Sequence, residues 1–274
     1  MSKHKMNATR RTMTAALFVA ASYTSAISIA QPTVDPRSIM AGVYQQANSH
    51  DLTMKADFEV FDKQGQSTKK EFTYMHIGAP DESKTLVAFT APKEIRGVVL
   101  LSINKPGAAA SQYVYTPATQ RVRSVVPQER SARFIGTDFT FEDIGERVLD
   151  DFSYKLIGNA ETIDGHKTYK VEATPVAAER SQYKYIYYWV AQDIPVILFA
   201  EFYDAQGAKI RVLHATQLKR ENGVWGARHT EMRTLADDTR TVLTINAVKF
   251  KAKLNEKLFT PDGMAGALGT SAGK

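Results

Sequence analysis

The stretch Arg133-Phe134-Ile135-Gly136-Thr137-Asp138-Phe139-Thr140-Phe141-Glu142-Asp143-Ile144-Gly145 decides how the chain is read. The sequence on either side alternates between apolar and polar residues, as strands do, and this stretch does not. Three rings, Phe134, Phe139 and Phe141, and Ile135 sit among turn formers and acids. Asp138 can cap a short helix, and Glu142 and Asp143 then fall in or near its first turn, where the helix dipole favours acid. The segment reads as a loop and short helix lying over the open end of a sheet, rings pointing down. Two roles stay open: a movable lid, or a plug that fills the core and does nothing else.

Outward from this stretch the chain is strand after strand. Upstream, the pattern predicts strands over 52–60, 72–76, 84–89, 97–103, 112–115 and 121–126. Leu52, Met54, Ala56, Phe58 and Val60, for example, alternate with Thr53, Lys55, Asp57 and Glu59. Downstream, strands are expected over 152–157, 167–173, 183–190, 196–202, 210–216, 227–233 and 241–249. Asp164-Gly165, Gln206-Gly207 and Asn222-Gly223 are the turn chemistry of hairpins. Val98-Val99-Leu100-Leu101 is apolar on both faces, so something must cover each side. Asp35-Pro36 opens a helix, in which Ile39, Met40, Val43 and Tyr44 recur at helical spacing to about 48. Short turns and no βαβ units argue for an antiparallel meander.

The run F-I-G-T-D-F-T-F-E-D-I, residues 134–144, resembles the signature of the outer-membrane lipoprotein-sorting family, a branch of the LolA-like periplasmic lipid and lipoprotein carriers. Weaker pieces occur in the matching order. Pro92 and Arg96-Gly97 precede a strand, and Tyr113-Val114-Tyr115-Thr116-Pro117-Ala118 is followed by Arg121-Val122-Arg123. Tyr203-Asp204 precedes a glycine turn, and Met232 comes before the strand near 241–248. The resemblance covers roughly Pro36 to Phe259. It implies a mainly β fold: an unclosed antiparallel half-barrel of about 11 strands, with helices covering its concave face and a hydrophobic cavity between. It also implies binding and transport rather than catalysis. The implied partners are the acyl chain of a lipid or lipoprotein, and an inner-membrane exporter of the RND or MMPL type or an outer-membrane acceptor.

Candidate site residues follow from alternation. Tyr183, Tyr185 and Tyr187 are expected on one face, where tyrosines suit a partly wet cavity wall. Phe58, Tyr74, Leu100, Tyr115, Tyr185, Tyr187 and Phe199 are the cavity candidates, with Phe134, Ile135, Phe139 and Phe141 above them. Alternation does not fix the faces of Leu100 and Phe199, whose strands are apolar on both sides. Arg121, Arg123, Arg130 and Arg133 lie near Asp138, Glu142 and Asp143 in sequence. These groups can form a latch, a docking patch for an acidic partner or lipid headgroups, or merely a solvated face. The histidines lack metal-like spacing, and there is no G-x-S-x-G, P-loop or G-x-G-x-x-G motif. No catalytic residue, metal ligand or cofactor is therefore expected.

The first thirty residues read as a Sec-type signal peptide: a basic segment through Arg11, an apolar run over 13–29, and Ser28-Ile29-Ala30 before a cut that leaves Gln31 first. The pair Arg10-Arg11 leaves twin-arginine export open. The expected organisation is a signal peptide over 1–30, a half-barrel domain over 31–260 and a flexible tail over 261–274. The 274-residue chain has a formal charge of +6, of which Lys3, Lys5, Arg10 and Arg11 carry four, so the mature domain is nearly neutral and nucleic acid is not an implied partner. The absence of cysteine excludes disulfides, a thiol nucleophile and a lipidated N-terminal cysteine. The expected protein is a monomeric periplasmic carrier or binder for lipid or acylated protein, involved in sorting or transport to the outer membrane. The rival readings are a periplasmic sensor domain using the same half-barrel and, further off, a lipid hydrolase.

Overall fold

The computed structural model describes Met1 and residues 34–48, 50–79, 82–105 and 108–269. The expected signal peptide and its cleavage site lie outside these residues. Helix α1 (Pro36–Asn48) starts as its sequence dictates. The Asp35 carboxylate accepts from the Arg37 and Ser38 amides at 3.2 and 3.0 Å, filling orphan donors of the first turn. Met40 and Val43 are buried, and Ile39 and Tyr44 pack beside them.

Among the described residues thirteen antiparallel strands follow: β1 (Leu52–Phe61), β2 (Ser67–Ala79), β3 (Glu82–Ala91), β4 (Val99–Ile103), β5 (Ser111–Thr116), β6 (Arg121–Ser124), β7 (Phe152–Ile163), β8 (His166–Pro175), β9 (Tyr185–Ala191), β10 (Ile197–Tyr203), β11 (Lys209–Glu221), β12 (Val224–Thr234) and β13 (Thr239–Phe250). The count of about 11 is thus too low. They form one sheet in the order β6-β5-β4-β3-β2-β1-β13-β12-β11-β10-β9-β8-β7, with β6 and β7 as free edges. The sheet does not close. At Asp164-Gly165 and Asn222-Gly223 all four residues have positive φ, 48° and 84° in each pair, the conformation that tight hairpin turns require. The register of β7 with β8 shifts twice, between Leu156 and Gly158 and between Asn159 and Thr162.

The sheet curls. Strands β2 and β7 stand eight places apart in the order. At about 4.8 Å per place they would be roughly 38 Å apart in a flat sheet. Yet α1, only about 20 Å long at its 13 residues, contacts β2, β7 and β12. The face that meets α1 is called the inner face below.

A large buried cluster occupies that inner face, including Phe58, Phe72, Phe89, Leu100, Phe134, Ile186 and Phe202. A second lies on the outer face of β2–β4, where Met75, Leu86, Val99 and Leu101 meet Leu258, Phe259, Met264 and Ala267. This answers the two-faced strand at 98–101: Val98 and Leu100 face in, Val99 and Leu101 face the C-terminal segment. Of the tail expected from 261 onward, the described part reaches residue 269. Residues 264–269 form a 3₁₀ turn with Met264 fully buried, because the apolar outer face of β3 and β4 needs a cover.

Candidate functional site

The segment at 133–145 is built as a tight loop closed on itself. Arg133 and Thr140 form an isolated antiparallel bridge. The Phe134 amide donates to the Phe139 carbonyl at 2.8 Å, and the Thr137 amide to the Phe134 carbonyl at 3.0 Å. Ile135 and Gly136 turn the chain with φ of 48° and 72°. A β-branched residue rarely adopts that conformation, and here Lys70 Nζ donates to the Ile135 carbonyl at 2.9 Å and helps hold it. Phe134, Phe139 and Phe141 are all buried. They continue a run of rings across the inner face: Phe58 lies 5.5 Å from Phe139, Phe89 5.6 Å from Phe134, and Phe134 5.4 Å from Phe141, centroid to centroid.

Asp138 does not cap the helix. Its carboxylate is buried and accepts from the hydroxyls of Thr234, Thr239 and Thr241 at 2.6, 2.5 and 2.7 Å, pinning the loop to β12 and β13. The cap of α2 (Phe141–Ile144) is Thr140, whose hydroxyl accepts from the Asp143 amide at 3.3 Å while Asp143 accepts from the Thr140 amide at 2.9 Å.

Of the expected latch arginines, only Arg133 reaches Asp138, at 3.4 Å, and it binds Asp237 more closely at 2.6 Å. Arg121 and Arg123 are exposed on the edge strand β6, and Arg123 pairs with Glu129 at 2.7 Å, so neither touches the acids of the loop. Glu142 accepts from Ser181 Oγ and the Gln182 amide at 2.5 and 2.9 Å. Two arginines not anticipated from the sequence share Asp143 instead: Arg147 at 3.2 Å and Arg211 at 3.0 Å. The Tyr183 hydroxyl also donates to Asp143, at 2.7 Å. Arg211 reaches the Asp138 carbonyl and Gln182 Oε1, at 3.2 and 2.6 Å. Arg147 lies over the rings of Phe152, Tyr183 and Phe202. A signal for Arg211 existed. It shares a strand face with Leu213 and Ala215, a cation at an inward position.

A cavity of ≈ 400 Å³ opens beside this cluster on the inner face of β10–β13. Its wall is mostly apolar, with Phe139, Phe202, Leu213, Met232 and Ile245 among its residues. Arg147, Asp143 and Tyr188 border it near the loop; Lys219, Glu221 and Arg228 border it near the β11–β12 hairpin. A smaller, more polar cavity of ≈ 220 Å³ lies between residues beside β5 and residues of β7 and β8, with Arg147 in its wall too.

The ten apolar site candidates divide between the faces. Phe58, Tyr74, Leu100, Phe134, Phe139 and Phe141 belong to the inner cluster, and of these Phe139 borders the larger cavity. Tyr115 packs on the outer face. Tyr185, Tyr187 and Phe199 also face outward, with Trp189 and Tyr203. The inward positions of β9 are Ile186, Tyr188 and Val190, and Tyr183 reaches inward from before the strand begins. Alternation failed because both faces of this strand carry large apolar side chains.

Glu146 anchors another buried group. Its carboxylate lies 3.0 Å from His76 Nε2, out of line for a good hydrogen bond, and accepts from Tyr74 and Asn104 at 3.3 and 3.1 Å and from the Ser83 hydroxyl. Among the described residues, no group of three or more His, Cys, Asp or Glu side chains is placed to hold a metal ion. No helix among them is long and apolar enough to cross a membrane.

Comparison with known proteins fits this architecture. No curated protein sequence matches the chain. An outer membrane lipoprotein-sorting protein domain from Vibrio parahaemolyticus superposes with a TM-score of 0.79 at 21% identity, over 84% of this chain and 98% of that one. A DUF1329 family protein from Desulfovibrio piger gives 0.78 at 22% identity, over 83% and 98%. A LolA superfamily protein from Nitrosomonas europaea gives 0.68 at 19% identity, over 84% and 99%. A family model described as "-like: Uncharacterized protein" matches residues 81–265. The chain belongs to that family, and its fold is that of the lipoprotein-sorting and LolA superfamily structures.

Proposed function

We propose that this protein is a periplasmic carrier that binds the acyl chain of a lipid or lipoprotein in the ≈ 400 Å³ cavity, within sorting or transport to the outer membrane. In this reading residues 1–30 are removed on export, α1 and the loop at 133–145 cover the inner face, and an RND- or MMPL-type exporter supplies the cargo. The observation that carries it is the cavity itself: an apolar volume within the range of small-molecule sites, on a sheet that curls but does not close. Each buried methylene contributes about 0.8 kcal/mol. Some ten methylenes give about 8 kcal/mol, which corresponds to micromolar binding only before association costs of about 4 kcal/mol or more, so a longer chain or a headgroup contact must supply the remainder. We read the site as a binding site rather than a reaction centre, since its carboxylates Asp143 and Glu221 are each paired with arginine or lysine.

The test has two arms. Solvent extraction of protein purified from the periplasm, followed by mass spectrometry, should release a lipid. Ala215→Phe, which pushes a ring into the cavity from β11, should abolish binding of a fluorescent fatty-acyl probe while the fold survives. Unchanged probe binding in a folded Ala215→Phe variant sinks the proposal.

A further inference from the structure

The end of the cavity beside the loop is bordered by donors that make no well-formed hydrogen bond within the protein. Arg147 spends one amino nitrogen on Asp143, and the other, Nη1, is buried without a partner. The hydroxyls of Tyr188 and Tyr44 are likewise buried and make no well-formed hydrogen bond, although they lie close to one another and Tyr44 also lies close to Tyr154. Tyr188 is 3% exposed and borders the cavity, as Arg147 does. The three groups are within electrostatic reach of one another. Burial raises the pKa of both phenols, so each keeps its proton at neutral pH and can donate. The nearby acids are already committed. Asp143 is shared by Arg147, Arg211 and Tyr183, and Glu142 by Ser181 and Gln182.

An unsatisfied buried donor is costly, and a cluster of them beside an apolar wall is rare unless a ligand supplies the acceptors. The complement of a cationic N–H beside a hydroxyl is an anion with two acceptor oxygens. The rest of the wall is mostly apolar, which favours a single charge carried on a hydrocarbon chain over a more highly charged group.

We propose that the loop end of the cavity is a carboxylate subsite, and that the protein takes a long-chain carboxylic acid head first. Arg147 and the Tyr188 hydroxyl, which border the cavity, receive the carboxylate. The chain lies along the wall of Leu213, Ala215 and Ile245 toward the β11–β12 hairpin. This rests on the lipid-binding reading above and adds to it the class of lipid and its orientation.

The test compares dodecanoic acid with methyl dodecanoate, each displacing bound N-phenylnaphthylamine from the full protein at pH 8. The acid should bind on the order of ten-fold tighter than the ester. Tyr188→Phe removes a hydroxyl that has no partner, so the fold should hold. It should weaken the acid several-fold and leave the ester unchanged. Arg147→Met, if it folds, should erase the preference. Equal affinity for acid and ester in the unmodified protein overturns the carboxylate subsite and leaves lipid binding standing. So does a Tyr188→Phe variant with the ratio intact. Failure of the probe and both ligands to bind overturns both readings.

Discussion

Replacing Phe139 by alanine separates a plug from a lid. The ring is 6% exposed, packs tilted against Phe58 with centroids 5.5 Å apart, and borders the ≈ 400 Å³ cavity. Deleting a core phenylalanine costs about 3–5 kcal/mol through lost transfer energy and the void left behind. One side of Phe139 already faces open volume, so fewer contacts are lost and the lower end, about 3 kcal/mol, is expected. For a domain of this size each kcal/mol moves Tm by roughly 2–4 °C. Calorimetry should therefore register a fall of about 6–12 °C. The enlarged cavity should still take a fatty-acyl probe. Amide exchange gives an independent reading. The Phe134 and Thr137 amides, bonded within the loop, should exchange only on global unfolding if the segment is a plug. An unchanged Tm together with rapid probe release and fast exchange at these amides would refute this reasoning and restore the lid.

Two further predictions follow from buried groups away from the loop. Ending the chain after Thr260 uncovers the outer face formed by Met75, Leu86, Val99 and Leu101, so the shortened protein should lose several °C in Tm and bind a hydrophobic dye; identical melting and no added dye binding would make the segment dispensable. At His76, burial works against the charged ring, but the Glu146 carboxylate outweighs it and raises the pKa above the ordinary 6.5. A raised folded pKa means that this stabilisation is fully present below pH 6.5 and is lost as pH rises through the higher folded value. Tm should fall across that window in the native protein and fall less in His76→Gln; parallel pH profiles would count against it.

Local chemistry made most of the sheet legible. Alternation at 52–60, glycine turns such as Asn222-Gly223 and the Asp35-Pro36 helix start each depend on a few adjacent residues, and all appear where expected. The rings of the 134–141 segment were also legible as inward-facing groups. Legibility ended where a decision needed distant partners. Nothing near Tyr185 or Tyr187 says which face is inner, because β9 is bulky on both. Asp138 has the composition of a cap, yet three threonines nearly a hundred residues away claim it. Arg147 and Arg211 become a pair only once β11 brings Arg211 to Asp143.

The unclosed sheet has one more consequence, for how the protein behaves among other chains. A free edge presents unpaired amides and carbonyls, and any extended peptide can add to it. Here both ends are poor templates. β6 is four residues long, exposed throughout, and carries Arg121 and Arg123. β7 is long, but its two register shifts kink the edge, and Lys155 stands exposed beside them. A neighbouring strand finds a charged stub at one border and a broken rail at the other. The sheet can therefore stay open without inviting copies of itself to extend it into a fibre.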